Sequence, residues 1–257
     1  MTAARAGPAY FDALQAAFAW DVPPVSRDIH PDDGMLLPVP EGPDHYFEVG
    51  RSALRAVTAA LLAAGAPAPR RILDLPCGYG RVLRTLRAAF PDAAVTACDL
   101  NRCGVEFCAA LGATPADSAD PIDRAGIAGP FDLIWCGSLL THLDRPGWDE
   151  FLTFFHRVLA PGGVCVVTTH GAHIAGLVRA DPRRFRLGDA RRLLRGYDRH
   201  GFGFAAYQRG RRYGLSLARP GWVLDRVRAL PGARLVFAVE QFWDHAQDVV
   251  GWQRPGS

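Results

Sequence analysis

The chain has 257 residues, 49% of them hydrophobic, and a formal net charge of +3. Such a length buries a substantial core, so one large domain or a domain with an appendage is expected. The small net charge excludes a polyanion binder that works through the charge of the whole molecule, and no apolar run approaches a membrane span.

All 29 basic residues are Arg, and the distribution is uneven. Residues 179–212 hold eleven Arg against three Asp, an excess of eight that leaves the rest of the chain net negative. The six cysteines include Cys98, Cys103 and Cys108, five residues apart, which is not a zinc spacing. Reduced thiols in the cytoplasm are expected, with no metal and no disulfide framework. Asp12 and Gln15 interrupt the apolar N-terminal stretch, which lacks a basic flank, so no signal peptide is expected.

In chain order, residues 8–20 suggest a short amphipathic helix, and 21–44 an irregular arm rich in Pro, Asp and Gly. Helical periodicity resumes from Tyr46 to Ala64, with Leu54, Val57 and Leu61 on one face. Strands and helices then alternate, which argues for a parallel sheet. The first strand is Arg71–Leu75, followed by a glycine turn and a helix from about Gly80 to Phe90. The second is Ala94–Cys98, ending at Asp99. A third is weakly marked near Ala113–Ala116, before Asp117. The fourth is Phe131–Cys136. A long helix with Trp148, Phe151, Leu152, Phe155 and Leu159 follows, and Pro161-Gly162-Gly163 is expected to stop it before a fifth strand, Val164–Thr169. An Arg-rich insert over 172–214 interrupts the alternation, with a helical part to Tyr197 and a hairpin from Gly201 to Tyr213. Pro220 opens another helix. Ala233–Phe242 and Asp248–Trp252 read as an antiparallel pair at the sheet edge.

The stretch Asp74-Leu75-Pro76-Cys77-Gly78-Tyr79-Gly80 is the most informative. A strand, a tight glycine turn and a helix form a nucleotide site at the first crossing of an open α/β sheet. The acid at the strand end repels a pyrophosphate and suits a ligand with a cationic end. Leu83 occupies the third glycine position of a dinucleotide fingerprint, which argues against a dinucleotide oxidoreductase. A second acid, Asp99, lies nineteen residues past Gly80 at the end of strand two, where a carboxylate accepts both ribose hydroxyls of an adenosine. A third, Asp117, follows strand three. Cys136-Gly137-Ser138 forms a small-residue edge after strand four. Taken alone, Asp99 reads equally well as a helix cap and Asp117 as a loop acid.

These pieces, with Cys98-Asp99-Leu100 and Leu159-Ala160-Pro161-Gly162-Gly163, resemble the class I S-adenosylmethionine-dependent methyltransferases, most strongly over residues 45–170. The resemblance implies a seven-stranded, mostly parallel sheet with helices on both faces and the last strand antiparallel. It implies S-adenosyl-L-methionine as cofactor, with its methionine end by Asp74, Pro76, Cys77, Gly78 and Gly80, and its ribose on Asp99. The adenine would lie between Leu100 and the Asp117 region, Cys136 and Gly137 would close the pocket, and Tyr46 and Gly50 would cover the methionine carboxylate. Pro76 departs from the family, which usually has Gly there. The ending Trp243–Val249 and the segment Val22–Met35 are similar to a bacterial stand-alone subgroup. Residues 1–44 are thus an N-terminal helix and arm, and 45–257 the methyltransferase domain with its lid-like insert.

Methyl transfer needs approach, orientation and, for an alcohol oxygen, a base. His170, at the end of strand five, is the first candidate and His142 the second. Arg191, Arg192, Tyr207 and Tyr213 of the insert are candidate acceptor contacts. The expected acceptor is a small or saccharide-like molecule, acidic if the Arg residues contact it, methylated at oxygen. Two alternatives are a non-catalytic cofactor-binding protein and a nucleic-acid methyltransferase. The latter ranks lower, because Cys136-Gly137-Ser138-Leu139 is unlike the Asn/Asp-Pro-Pro-aromatic motif of many base amino-methylases.

Overall fold

The structure, a computed structural model, describes residues 24–208 and 210–256. The helix expected over 8–20 lies outside them. The first described helix, α1 (Gly42–Ala64), starts earlier than its apolar face suggests. Pro43 suits a first helical turn, where no amide donor is needed. It ends where Gly65 turns left-handed (φ 64°) and donates its N–H to the Leu61 and Leu62 carbonyls.

Seven strands form the main sheet in the order β3-β2-β1-β4-β5-β9-β8. These are β1 (Arg71–Asp74), β2 (Ala94–Asp99), β3 (Thr114–Asp117), β4 (Phe131–Cys136), β5 (Leu159–Thr169), β8 (Arg234–Trp243) and β9 (Gln247–Gln253). The first five run parallel, and β9 is antiparallel to both β5 and β8. Pro115 is accommodated because β3 is an edge strand, where a missing amide breaks no interior ladder.

Strand side chains alternate between two apolar layers. Ile72, Leu133, Val164 and Val166 face a core with α1, α2 (Leu83–Ala89) and α3 (Arg102–Ala110). Leu73, Ile134, Cys165 and Val167 face the other core, with α4 (Arg145–Val158) and α7 (Pro220–Arg228). Burial on both faces is why these strands read as continuous apolar runs.

Two expectations need correction. Helix α2 begins at Leu83, because the glycine turn keeps its own hydrogen bonds as far as residue 80. Pro161-Gly162-Gly163 does not separate helix from strand. Helix α4 passes directly into β5 at Leu159, which pairs with Phe131, and residues 160–163 bulge out before Val164 pairs with Leu133. Gly162 (φ 77°) takes the left-handed turn of that bulge.

The insert carries its own small core. Helices α5 (Ala172–Ala180) and α6 (Ala190–His200) pack on a two-stranded hairpin, β6 (Phe202–Ala206) and β7 (Gly214–Ala218). Ile174, Val178, Leu193, Tyr197, Leu215 and Leu217 are buried between them. The hairpin extends past the expected Tyr213 boundary, since Leu215 and Leu217 supply its alternating inner face.

Leu193→Ala should cost about 2–5 kcal/mol of local stability. Hydrogen exchange should show lost amide protection in β6 and β7 while the seven-stranded sheet keeps its protection.

Candidate active site

The first crossing is assembled from three strand ends. Leu75 N–H donates to the Trp135 carbonyl (3.1 Å) and Cys77 N–H to the Cys98 carbonyl (3.0 Å). The chain leaving β1 therefore stays pinned to β4 and β2 beyond Asp74. Gly78 N–H then donates to Asp99 Oδ2 (2.8 Å), and Asn101 N–H to Asp99 Oδ1 (2.9 Å). Asn101, not Asp99, caps α3, through Gly104 N–H. The left-handed positions of the turn are Gly78 (φ 51°) and Gly80 (φ 77°), so Pro76 occupies a place that requires neither positive φ nor an amide donor.

Asp74 is fully enclosed, and neither of its carboxylate oxygens has a hydrogen-bond partner among the described residues. Burial pushes its pKa well above the usual carboxylate range, and the charge of Asp99 adds to the rise. Asp117 is the Cα partner of Asp99 across β2 and β3. Asp99, Asp117 and Asp74 all act on the Cys98 thiol, which burial and these charges push up to about 12. The three acids therefore share one end of the sheet. Leu100 is exposed beside them; Cys136 and Gly137 are buried at the end of β4.

Tyr46 and Gly50 sit deeper than a covering segment. Tyr46 is wholly buried and donates its hydroxyl to Asp33 Oδ2 (2.7 Å). A side chain at position 50 would collide with the Arg81 carbonyl and Thr85 Oγ1, at 2.7 and 2.6 Å, so Gly50 lets α1 approach the start of α2.

Two arginines after the turn were not singled out by the sequence, although one directly follows Gly80. Arg84 is buried without a carboxylate partner. Nε donates to the Gly80 carbonyl (2.9 Å), Nη2 to Tyr79 (3.2 Å), and Nη1 to Ser26 (2.8 Å) and Asp28 (2.6 Å). One guanidinium thus fastens the N-terminal arm to the glycine turn, and His30 stacks on Tyr79 at 4.6 Å. Arg81 is half-buried against the rings of Tyr46 and Trp243, with no ion pair or hydrogen bond from its guanidinium among the described residues. Burial lowers its pKa.

At the end of β4, Ser138 adopts a left-handed conformation (φ 59°) that is costly for a residue with a side chain. It is held by its N–H donating to Thr168 Oγ1 (2.8 Å) and by Gln247 Nε2 donating to its hydroxyl (2.6 Å). This turn leads into a single 3₁₀ turn, Leu140–His142. His142 Nδ1 lies 2.9 Å from the Gly214 carbonyl and 3.0 Å from the Tyr207 hydroxyl. A carbonyl only accepts, so Nδ1 carries the proton and Nε2 the free lone pair. Burial lowers the His142 pKa, partly offset by the Gly214 carbonyl.

His170 packs 6.3 Å from His142, edge to face, but is sealed in. Its Nδ1 has no partner among the described residues, and burial, with a contribution from His142, brings its pKa down to about 3. Tyr207 and Tyr213 gather around His142. Arg191 and Arg192 do not: they are exposed on α6, and no described contact joins them to that cluster.

Residues 72–163 match the family model described as a methyltransferase domain. No curated protein sequence matches the chain. Among solved structures, an S-adenosylmethionine-dependent methyltransferase from Clostridium acetobutylicum is 13% identical, with a TM-score of 0.54 over 83% of this chain and 92% of that one. Magnesium protoporphyrin IX methyltransferase from Synechocystis, solved with SAH bound, is 12% identical, with a TM-score of 0.53 over 96% and 95%. Human N-acetylserotonin methyltransferase in complex with SAM is 15% identical, with a TM-score of 0.53 over 81% of this chain and 52% of that one. At these identities the likeness is one of fold, and the fold is that of the class I methyltransferases. Residues 72–163 thus carry the match to a methyltransferase domain, within a chain that has the fold of these enzymes. No described helix is long and apolar enough to cross a membrane.

Buried neutral histidine has a consequence for stability. The folded pKa of His170 lies below the unfolded value of about 6.5, so the unfolded chain binds the extra proton. Its contribution is complete above that value and is lost as pH falls toward 3. Urea midpoints measured from pH 7 down to 5 should fall in the wild type. His170→Gln should flatten that dependence.

Proposed function

We propose that the chain methylates a hydroxyl oxygen of a small-molecule acceptor, with His142 as the base. The observation that carries this reading is the committed Nδ1 of His142, which leaves Nε2 as a neutral acceptor in the segment after β4. His170 is instead buried, with its pKa held low. We read it as the packing support that keeps the His142 ring upright.

The cofactor fits the residues present. A buried carboxylate without a partner is costly, and an ammonium group at Asp74 would satisfy it. We assign the methionine end to Asp74, Pro76, Cys77, Gly78 and Gly80, the ribose hydroxyls to Asp99, and the adenine to the space between Leu100 and Asp117. Asp99 retains lone pairs for hydroxyl donors after accepting two backbone amides. Cys136 and Gly137 form the floor. Tyr46 and Gly50 act through Arg81, whose guanidinium has no ion pair or hydrogen bond among the described residues and suits the methionine carboxylate. Bound there, the cofactor supplies an electrophilic methyl group. The protein's part is to hold the acceptor in line, exclude water and take the hydroxyl proton at His142 Nε2.

Tyr207 and Tyr213 are the acceptor contacts favoured by their place around His142. Arg191 and Arg192 bear on the acceptor only if an acidic group reaches out to α6. We take residues 45–257 as the methyltransferase domain, 1–44 as its arm and 172–214 as the lid. Six free thiols support a reducing, cytoplasmic setting.

Calorimetric titration with adenosylhomocysteine tests the assignment. Asp99→Ala and Arg81→Ala should each weaken binding by about 10-fold or more, the worth of a hydrogen bond to a charged group. NAD should not bind. Unchanged affinity in Asp99→Ala, or preference for NAD, would overturn the site.

A further inference from the structure

The surroundings of His142 also restrict the kind of molecule that carries the hydroxyl. This step rests on the reading of the crossing as the cofactor site and of His142 as the base. Tyr213 is 53% exposed, whereas the large apolar side chains that follow it, Leu215 and Leu217, are buried in the insert's core. Its position is fixed: a backbone bridge joins Tyr213 to Leu143, in the segment after β4. Its ring centroid lies 5.1 Å from that of His142, inclined by only 30°. The Tyr207 ring lies 5.8 Å from His142 and 5.9 Å from Tyr213. The charge of Asp99 reaches the Tyr213 phenol and raises its pKa further, beyond the effect of burial. A half-exposed aromatic ring therefore packs beside the His142 ring and feels the charge of the ribose acid.

We propose that the acceptor is a planar phenol, whose ring stacks on Tyr213 and whose hydroxyl meets His142 Nε2. Three arguments support it. An exposed ring held by backbone on a folded hairpin is a stacking surface, and such pairs gain free energy beyond their buried area. A saccharide would bring several hydroxyls that need partners, whereas the ring contacts described around His142 are those of Tyr207, Tyr213 and His170. A histidine made less basic by burial is also better matched to a phenol, with a pKa near 10, than to an aliphatic alcohol, which is a far weaker acid. In the transfer the phenol O–H bond breaks and its proton goes to Nε2. The phenolic oxygen forms a bond to the methyl carbon as the methyl–sulfur bond breaks, leaving its electron pair on sulfur.

The test uses 2-naphthol, followed by its own fluorescence, on full-length protein saturated with adenosylhomocysteine. Saturable binding is expected in the wild type. Tyr213→Ala should weaken it about fivefold or more, and Tyr213→Phe, which keeps the ring, should bind like the wild type. Methyl glucoside, saturated decahydro-2-naphthol and cyclohexylamine should displace the probe poorly. Equal binding in wild type and Tyr213→Ala would overturn the proposal. Displacement by the sugar or the saturated alcohol as effective as by phenol itself, added as a competitor, would do the same. Displacement by the amine would point instead to an aromatic cage for a cation, and also overturns it. Adenosylhomocysteine affinity, measured first on each variant, separates the two readings. Its loss in the wild type strikes the cofactor site, whereas naphthol binding indifferent to Tyr213 strikes this inference alone.

Discussion

The carboxylate of Asp99 holds the site together. It ends β2, yet accepts the N–H of Gly78 from the turn after β1 and the N–H of Asn101 from its own strand exit. That double acceptance fixes the turn over the sheet edge, and the buried Asp74 has no hydrogen-bond partner among the described residues. Burial, with the charge of Asp99 adding to it, raises the cost of ionising Asp74, and a cation bound there would offset that cost. The cationic end of the cofactor is that cation in our account.

Two clamps frame this centre from opposite sides. On one side, Arg84 joins the carbonyls of Tyr79 and Gly80 to those of Ser26 and Asp28, with His30 stacked on Tyr79. On the other, the insert's hairpin reaches the segment after β4 through the Leu143–Tyr213 bridge and the His142–Gly214 hydrogen bond. Both clamps work through backbone carbonyls. A guanidinium or imidazole N–H satisfies such groups with firm geometry, and substitutions in the clamped segments themselves leave the bonds intact.

Much of this was legible in the sequence because it rests on local rules. Strands β1, β2 and β4 declared themselves as short apolar runs ended by Asp74, Asp99 and Gly137, and the antiparallel final pair by its short connection. The bulge at residues 160–163 escaped notice because Pro-Gly-Gly ordinarily stops a helix, and only pairing with Phe131 shows that the strand has already begun. Position alone ranks His170 before His142, the reverse of the order that their surroundings favour. Both follow a strand, and the difference lies in a carbonyl from residue 214 and in burial by the insert, which are long-range facts. Arg84 was equally invisible, since its four acceptors come from segments more than fifty residues apart in the chain.

The most direct measurement is the proton balance of adenosylhomocysteine binding, by calorimetry in buffers of different ionisation enthalpy from mildly acidic to neutral pH. The account predicts net proton release in the wild type, as the ligand's ammonium draws the raised Asp74 pKa back down, and loss of that release together with weaker binding in Asp74→Asn. Binding of equal strength in both proteins, with heats that do not depend on the buffer, would contradict it.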